Sequence, residues 1–473
     1  MKITCIGAGY IGSVTGTSLS VMGHHCTIID IDAAKVDAIN AGTSPIYEPG
    51  LQDLIQLQAG TFLFASTSYQ SVYDADVVFI GVGTPSLEDG SADLSYIRAA
   101  AANIAKHLNP DRFTVIVNKS TVPVGTGEEV TSMIEHISGL RPGEHFAVAS
   151  NPEFLREGHA LEDVFFPDRI VVGASAGRAK ERLKELYAPF MRRDLLVKAA
   201  QLLGIQEREI VPPVYFETDL RSAEMIKYAS NAFLAVKISY INEVARFCEA
   251  VGANVMDVAQ GMGLDSRIGN QFLQVSSGWS GSCFPKDTAE LLNASQKHGQ
   301  ELSIVKAAIE SNYQMHLYIA NKVHDRIGSL QNRTIGILGL TFKPNTDDTR
   351  HTQAAVLIRK FSECGAVIRA HDPKGMTGFH QRNNDLPVIY CSTGEQVAEG
   401  ADVLVLVTHW PEYKVLDWKW MHEAMRSPYI LDTRNFLNPE EMRGLGFMYE
   451  GLGLGTDKAA GQSASRPTLS HVV

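Results

Sequence analysis

Short apolar runs that end in glycine turns, each followed by a stretch with helical spacing, recur along this chain. The first is ITCIGAGYIG, after which helical periodicity continues to Met22 and a second apolar run, HCTIID, stops at Asp30. The beat repeats in ADVVFIGVGTP (75–85), followed by a helical run from about Leu94 to Leu108. It returns in FTVIVNKSTVPVGTG (113–127), with a helix to His136, and in FAVASNPEFLREG (146–158). Strands alternating with helices predict a doubly wound parallel sheet, whose ligands bind at the carboxyl ends of the strands. From about Glu217 to Ala250 the pattern changes: no proline or glycine interrupts some nine turns of helical spacing, which predicts one long helix connecting domains. A third unit, from RTIGILGLTFKPN onward, echoes the first and ends its second strand at Asp372. Further strands follow at 401–410 and 429–437. The pattern therefore predicts an α/β protein with two Rossmann-like doubly wound domains joined by a long central helix and a small helical domain. The divisions expected are 1–216, 217–330 and 331–455, with a polar, disordered tail over 456–473.

Composition narrows the class. The chain has 473 residues, 45% of them apolar and 20% charged, and a formal net charge of -11. That balance fits a globular protein and disfavours nucleic acid or an anionic membrane as partner. No run is long enough to span a membrane, and the first residues form a glycine turn where a signal peptide would carry its apolar core, so a cytoplasmic protein is expected. Six cysteines without CxxC or paired spacing predict neither disulfides nor a zinc site, and no other metal motif is present.

Two stretches carry chemistry. Gly7, Gly9 and Gly12 have the G-x-G-x-x-G spacing between a strand and a helix, with Asp30 ending the next strand. Such a turn lets a pyrophosphate rest on the helix N-terminus while the acid accepts ribose hydroxyls. Asp30 would repel a 2′-phosphate, which favours NAD, and Lys35 nearby softens that preference. The second stretch is GWSGSCFPKD (278–287). Pro285 suits a first helical turn, which sets Cys283 at a helix N-terminus, where an anionic thiolate is favoured. Lys227 and Asn231, four apart, share a face of the long helix. Thr84, Thr121, Glu153 and Glu157 fall at predicted strand ends, although each alone also fits a turn former or a solvated carboxylate. In the third unit only Gly336 and Gly339 remain of the turn, so it should bind something other than a dinucleotide, with Lys343 or Arg434 available to phosphates. A cysteine beside an NAD site has a specific use. An aldehyde has no hydroxyl from which to expel a second hydride, whereas a thiohemiacetal does, and its oxidation leaves a thioester for water to hydrolyse.

Through GAGYIG, YEPGL, GVGTP, KSTVP, SNPEFLREG, KYASNAFLA, RIGN, GSCFPKD, GLTFKPNTDDTR and DTRN, the chain from Lys2 to about Gly455 resembles the nucleotide-sugar dehydrogenase family. The resemblance implies oxidation of UDP-glucose to UDP-glucuronate with two NAD reduced. The same chemistry on GDP-mannose or a UDP-N-acetylhexosamine is the alternative. The readings from other classes are a catalytically impaired nucleotide-sugar-binding protein and a two-electron dehydrogenase independent of Cys283. It also implies Cys283 as nucleophile, Lys227 and Asn231 as oxyanion donors, and Asp287 orienting water or holding Lys227. Thr121 and Glu153 would position and activate water. Around the cofactor it sets Tyr10, Ile11, Lys35, Thr84, Thr121, Glu157 and Lys286. Around the UDP-sugar it sets Glu153, Phe154, Leu155, Phe272, Gly278, Lys343 and Arg434, with Arg267 reaching in from a second subunit of a homo-oligomer. Two departures stand out. Ser280 replaces a family glycine, which would be strained at a positive φ, and the apolar segment 194–216 has no expected function.

Overall fold

The computed structural model describes residues 1–202, 204 and 211–455. The tail expected to be disordered lies outside the described residues, as do 203 and 205–210 of the apolar segment. Eight strands form the first sheet: β1 Lys2–Ile6, β2 His25–Ile29, β3 Leu63–Ser66, β4 Val77–Ile80, β5 Thr114–Asn118, β6 Phe146–Ser150, β7 Arg169–Ala174 and β8 Val214–Thr218. Their order is β3-β2-β1-β4-β5-β6-β7-β8. Pairing is parallel as far as β6, turns antiparallel between β6 and β7, and is parallel again between β7 and β8. Every residue of β4, β5 and β6 is buried, as expected of central strands covered by helices on both faces. Strand β8 gives part of the apolar segment a structural use, since it extends the sheet at its edge. It also runs across the boundary expected after residue 216.

The second sheet is wholly parallel and holds β9 Thr334–Leu338, β10 Val367–His371, β11 Val388–Tyr390, β12 Val403–Leu406, β13 Tyr429–Asp432 and β14 Met448–Gly451. Its order is β11-β10-β9-β12-β13-β14, so in both sheets the order of strand addition reverses beside the first strand. Asp372 mirrors Asp30 in sequence but not in use. It is buried and accepts hydrogen bonds from the backbone of Leu340, Thr341, Lys374 and Gly375 and from the Trp410 indole. That carboxylate is committed to holding the turn after β9.

Between the sheets runs the helix Leu220–Val251, 32 residues long. Asp219 caps its start by accepting from the Ser222 amide at 2.8 Å, and Gly252, in the left-handed region, ends it. Its first turns pack on the first sheet, where Gly173 is so close that a Cβ would sit 2.5 Å from that of Ala223. Glu224 joins this contact by accepting from the amides of Gly125 and Gly127. Near its other end Glu249 accepts from the Gly453 amide and pairs with Lys322 of the helix Ser303–Ile327. One rigid rod thus fixes the two sheets relative to each other, with Lys227 and Asn231 buried on it. Among the described residues no helix is long and apolar enough to cross a membrane.

Candidate active site

Cys283 is the N-cap residue of the helix Phe284–Lys297, with Pro285 in its first turn. The loop before it is held by a reciprocal amide pair. Asn312 accepts from the Trp279 amide at 2.8 Å and donates to the Trp279 carbonyl at 3.1 Å, while the indole N–H reaches Ser239 on the long helix. Gly278 must be glycine here: its φ is +114° and a Cβ would lie 2.4 Å from Asn312 Oδ1. Ser280, by contrast, is not among the residues with positive φ. The strain expected from replacing the family glycine is absent.

The thiolate expectation needs correction. Burial pushes the Cys283 thiol up to about 11; Lys227 pulls it back, and Glu153, Asp287 and Glu157 push it further up. Desolvation and three carboxylates outweigh the helix N-terminus, so the resting group is a neutral thiol.

Lys227 Nζ lies 2.9 Å from Glu153 Oε1, with both side chains almost wholly buried. The Leu155 amide donates to the other Glu153 oxygen at 2.5 Å. Burial alone would protonate Glu153, but the Lys227 ammonium, this amide and Lys119 hold its carboxyl below the usual range. Burial likewise pulls Lys227 down, and Glu153, Cys283 and Asp287 more than restore it. The Phe154 ring lies between two cations, 5.4 Å from Lys227 and 4.0 Å from Arg169. Asp287 does not hold Lys227, as one expected role had it. Its oxygens accept from Asn231 Nδ2 and Lys286 Nζ, each at 2.6 Å, so it fixes the second amide donor instead. Lys286 is thereby engaged with Asp287. At the ends of β4 and β5, the Thr84 hydroxyl donates to the Thr121 carbonyl at 3.0 Å, and both residues are buried.

The glycine turn after β1 fits a dinucleotide. A Cβ on Gly12 would overlap the Gly7 carbonyl at 1.8 Å, and Gly7 has φ +102° against Gly81, so both are required by packing of the turn. Gly9 has open space where its Cβ would be, and it caps the helix Tyr10–Val21 without any side-chain bond, leaving amides free for a pyrophosphate. Asp30 accepts from the amides of Ala8 and Asp32, which ties the acid to the turn. Ile11 packs towards Gly81, Tyr10 donates to the Tyr47 carbonyl, and Lys35 stands half-exposed on the helix Ala33–Asn40.

Glu157 sits between the cysteine loop and the second sheet. The Ser282 hydroxyl donates to it at 3.4 Å and Arg350 pairs with it at 3.1 Å. Burial and the neighbouring Asp348 push its carboxyl up to about 7, with Arg350 opposing. Burial lowers Lys343, and Glu157, Asp163 and Glu48 across the same seam oppose that. There the chains touch so closely that a Cβ on Gly158 would meet the Asn345 carbonyl at 2.4 Å. Phe272, at φ 63°, packs edge-on against Phe284. Arg434 lies at the end of β13, where its Nε donates to the Val407 carbonyl and burial lowers it to about 10. Arg267 is apart from this cluster: its side chain is 87% exposed and pairs with Asp265. Sequence reasoning missed Lys119, Asn151 and Arg350. The first lies inside the KSTVP motif and the last ends TDDTR, so both signals were present but indistinct from turn chemistry.

The profile of the NAD binding domain of the UDP-glucose/GDP-mannose dehydrogenase family matches residues 1–191, that of the central domain 221–314, and that of the UDP binding domain 336–439. A UDP-glucose 6-dehydrogenase of Bacillus subtilis is 42% identical over 458 residues, covering 96% of this chain and 98% of its own. One from Rhizobium meliloti is 42% identical over 460 residues, with 96% and 99% covered. Among solved structures, a UDP-glucose dehydrogenase from Pyrobaculum islandicum superposes with a TM-score of 0.82 at 35% identity, covering 96% of this chain and 98% of that one. With its glycine turn, its buried Lys227–Glu153 pair and its capping cysteine, the chain belongs to the UDP-glucose/GDP-mannose dehydrogenase family of NAD-dependent oxidoreductases.

Proposed function

We propose that the protein oxidises the C6 alcohol of UDP-glucose to the carboxylate of UDP-glucuronate, with Cys283 carrying the covalent step. The observation that carries this reading is the convergence of Cys283, the Lys227–Glu153 pair and the Asn231–Asp287 pair where the long helix meets the helix Phe284–Lys297. NAD, cradled by the glycine turn and Asp30, supplies the hydride acceptor for both oxidations. The Cys283 sulfur adds to the aldehyde carbon while the thiol proton passes to the aldehyde oxygen, giving a thiohemiacetal whose hydroxyl proton departs as the second hydride leaves, and the Lys227 ammonium offsets the charge that develops on oxygen. Lys227 and Asn231 donate to the oxyanion, each such donor being worth on the order of 3 kcal/mol in a transition state. Glu153, ionised at rest, takes the proton of the water that hydrolyses the thioester, and Thr121 positions that water. Asp287 keeps Asn231 in place.

Phe154, Leu155, Phe272, Gly278, Lys343 and Arg434 surround the UDP-sugar on this reading, and Tyr10, Ile11, Lys35, Thr84, Glu157 and Lys286 lie towards the cofactor. Arg267 acts from a second copy of the chain. Support comes from its exposure and from Phe233, Tyr240 and Phe247, which recur every seventh residue along the long helix and are each more than half exposed. An apolar stripe of that kind seeks a partner. The division we assign is 1–218, 219–330 and 331–455, moved to leave β8 whole. Six free thiols support a reducing, cytoplasmic setting.

The test is NADH formed per nucleotide sugar with limiting UDP-glucose and excess NAD. Two equivalents with UDP-glucuronate as product are expected. Two equivalents only from GDP-mannose or a UDP-N-acetylhexosamine would move the specificity, and one equivalent ending at the aldehyde would reject the covalent mechanism.

A further inference from the structure

Glu153 also borders a cavity of about 60 Å³, which its role in the reaction does not account for. The other polar groups on its walls come from Thr15, Lys119, Asn151, Asp163, Arg169 and Tyr187. A space of that size holds roughly four waters, and one wall asks for them: Thr15 Oγ1 is buried without a hydrogen-bond partner. Lys119 is more unusual. The residue is 8% exposed, and its ammonium makes one hydrogen bond, 2.9 Å to Asn151 Oδ1, an acceptor it shares with the Tyr187 hydroxyl, and stands 5.8 Å from the Phe79 ring. Among the described residues it has no carboxylate within ion-pair distance. A buried lysine with so little compensation is costly.

The chemistry gives such a site a task. This inference rests on the function proposed above: converting CH2OH to a carboxylate with two NAD+ and one water moves two hydrides and releases three protons. One of those comes from the water that attacks the thioester, and Glu153 accepts it deep in the site. For the next turnover Glu153 must lose it again. We propose that the cavity is a water-filled exit through which protons pass from Glu153 to Asp163 on its wall, which pairs with the half-exposed Arg156 at 2.6 Å, with Lys119 as the positioning residue that returns Glu153 to its ionised form.

The groups facing Lys119 support this assignment. Burial lowers the lysine to about 8, Glu153 and Cys5 raise it, and Lys227 lowers it further. Arg169, Asp163 and Tyr187 face the same cavity from β7 and the two helices Ala160–Phe165 and Gly177–Tyr187. Lys119 in turn helps hold the Glu153 carboxyl down. Removing the lysine should therefore raise Glu153 and slow its deprotonation, without touching the first oxidation.

The test compares wild type, Lys119→Met and Thr15→Leu, the last of which fills the cavity and keeps the lysine. With UDP-glucose and NAD in excess, both variants should complete a first turnover as wild type does and in later turnovers release UDP-glucuronate at least tenfold more slowly. An acyl-enzyme should accumulate, visible as added mass on the Cys283 peptide. For Lys119→Met the acid limb of the hydrolysis profile should move upward by about one pH unit, and imidazole buffer should restore part of the rate. If both folded variants hydrolyse the thioester at the wild-type rate with the wild-type pH profile, the exit path is wrong. Should Lys119→Met not fold, Thr15→Leu decides alone. Wild type that yields no acid would instead overturn the underlying function, so the two failures are distinguishable.

Discussion

Replacing Lys119 by methionine should make the folded protein more stable at pH 7. A fall from 10.5 to about 8 means that the folded state pays about 3 kcal/mol to keep this lysine charged. Methionine has nearly the same length and no charge to desolvate. What is lost is one hydrogen bond, about 1 kcal/mol, and Asn151 Oδ1 retains the Tyr187 hydroxyl. The net expectation is a gain of about 2 kcal/mol. Its pH dependence follows from proton counts: between pH 8 and 10.5 the unfolded chain holds the proton and the folded chain does not. Wild-type stability therefore rises with pH across that window, and the advantage of methionine is largest below pH 8 and disappears by about 10.5. Guanidinium unfolding at pH 7 and pH 10 measures both quantities. Circular dichroism is the right signal, because the four tryptophans, Trp279, Trp410, Trp418 and Trp420, all lie outside the first sheet. A variant destabilised at pH 7, or a gain that does not shrink at pH 10, would refute the view that this lysine is held against its own stability.

Cys283→Ala should produce no UDP-glucuronate, and undiminished acid formation would reject the covalent step. Gly278→Ala combines a left-handed backbone, costing about 1–2 kcal/mol, with a Cβ 2.4 Å from Asn312 Oδ1. A lowered melting temperature together with lost turnover is expected, and wild-type calorimetry and rates would contradict the packing. Ser280→Gly, at a position without positive φ, should leave kcat and melting temperature close to wild type; a large gain in activity would show that the serine does impair the loop. With its thiol near 11, Cys283 has roughly one molecule in ten thousand as thiolate at pH 7. Iodoacetamide followed by peptide mass mapping should label the exposed Cys364 first.

Local chemistry was legible in the sequence where it depends on short spacing. The glycine turn, the acid ending β2, the capping cysteine and the i, i+4 pair on the long helix all occupy the places their spacing implies. What spacing could not reveal was which charges meet. Glu153 and Lys227 come from a strand end and a helix brought together only by the packing of the rod on the first sheet. That pairing, rather than any local signal, took Lys227 away from Asp287. The thiol is a similar case: a helix N-terminus argues for an anion, yet burial and three carboxylates from two separate segments win. Asp372 repeats the position of Asp30 but is consumed by the amides of its own turn, a difference that one residue letter cannot carry. The cost of Ser280 stayed open at the level of sequence because a single sequence does not disclose φ, and the backbone there lies outside the positive region.

A neutral resting thiol beside an ammonium already paired with Glu153 has a consequence for the order of events. Lys227 holds one positive charge, and Glu153, Cys283 and Asp287 all draw on it. While Glu153 is ionised, a thiolate must compete for that charge, which keeps Cys283 protonated until an aldehyde oxygen accepts the negative charge as the C–S bond forms. In hydrolysis the sequence reverses. On the mechanism proposed above, the attacking water would give its proton to Glu153, the Lys227–Glu153 attraction would fall away, and the ammonium would be released to the oxyanion at the moment it appears. The same lysine then serves two transition states because its partner alternates between charged and neutral. That alternation works only if the proton on Glu153 departs before the next substrate arrives, which is the task proposed for the cavity and for Lys119 behind this carboxylate.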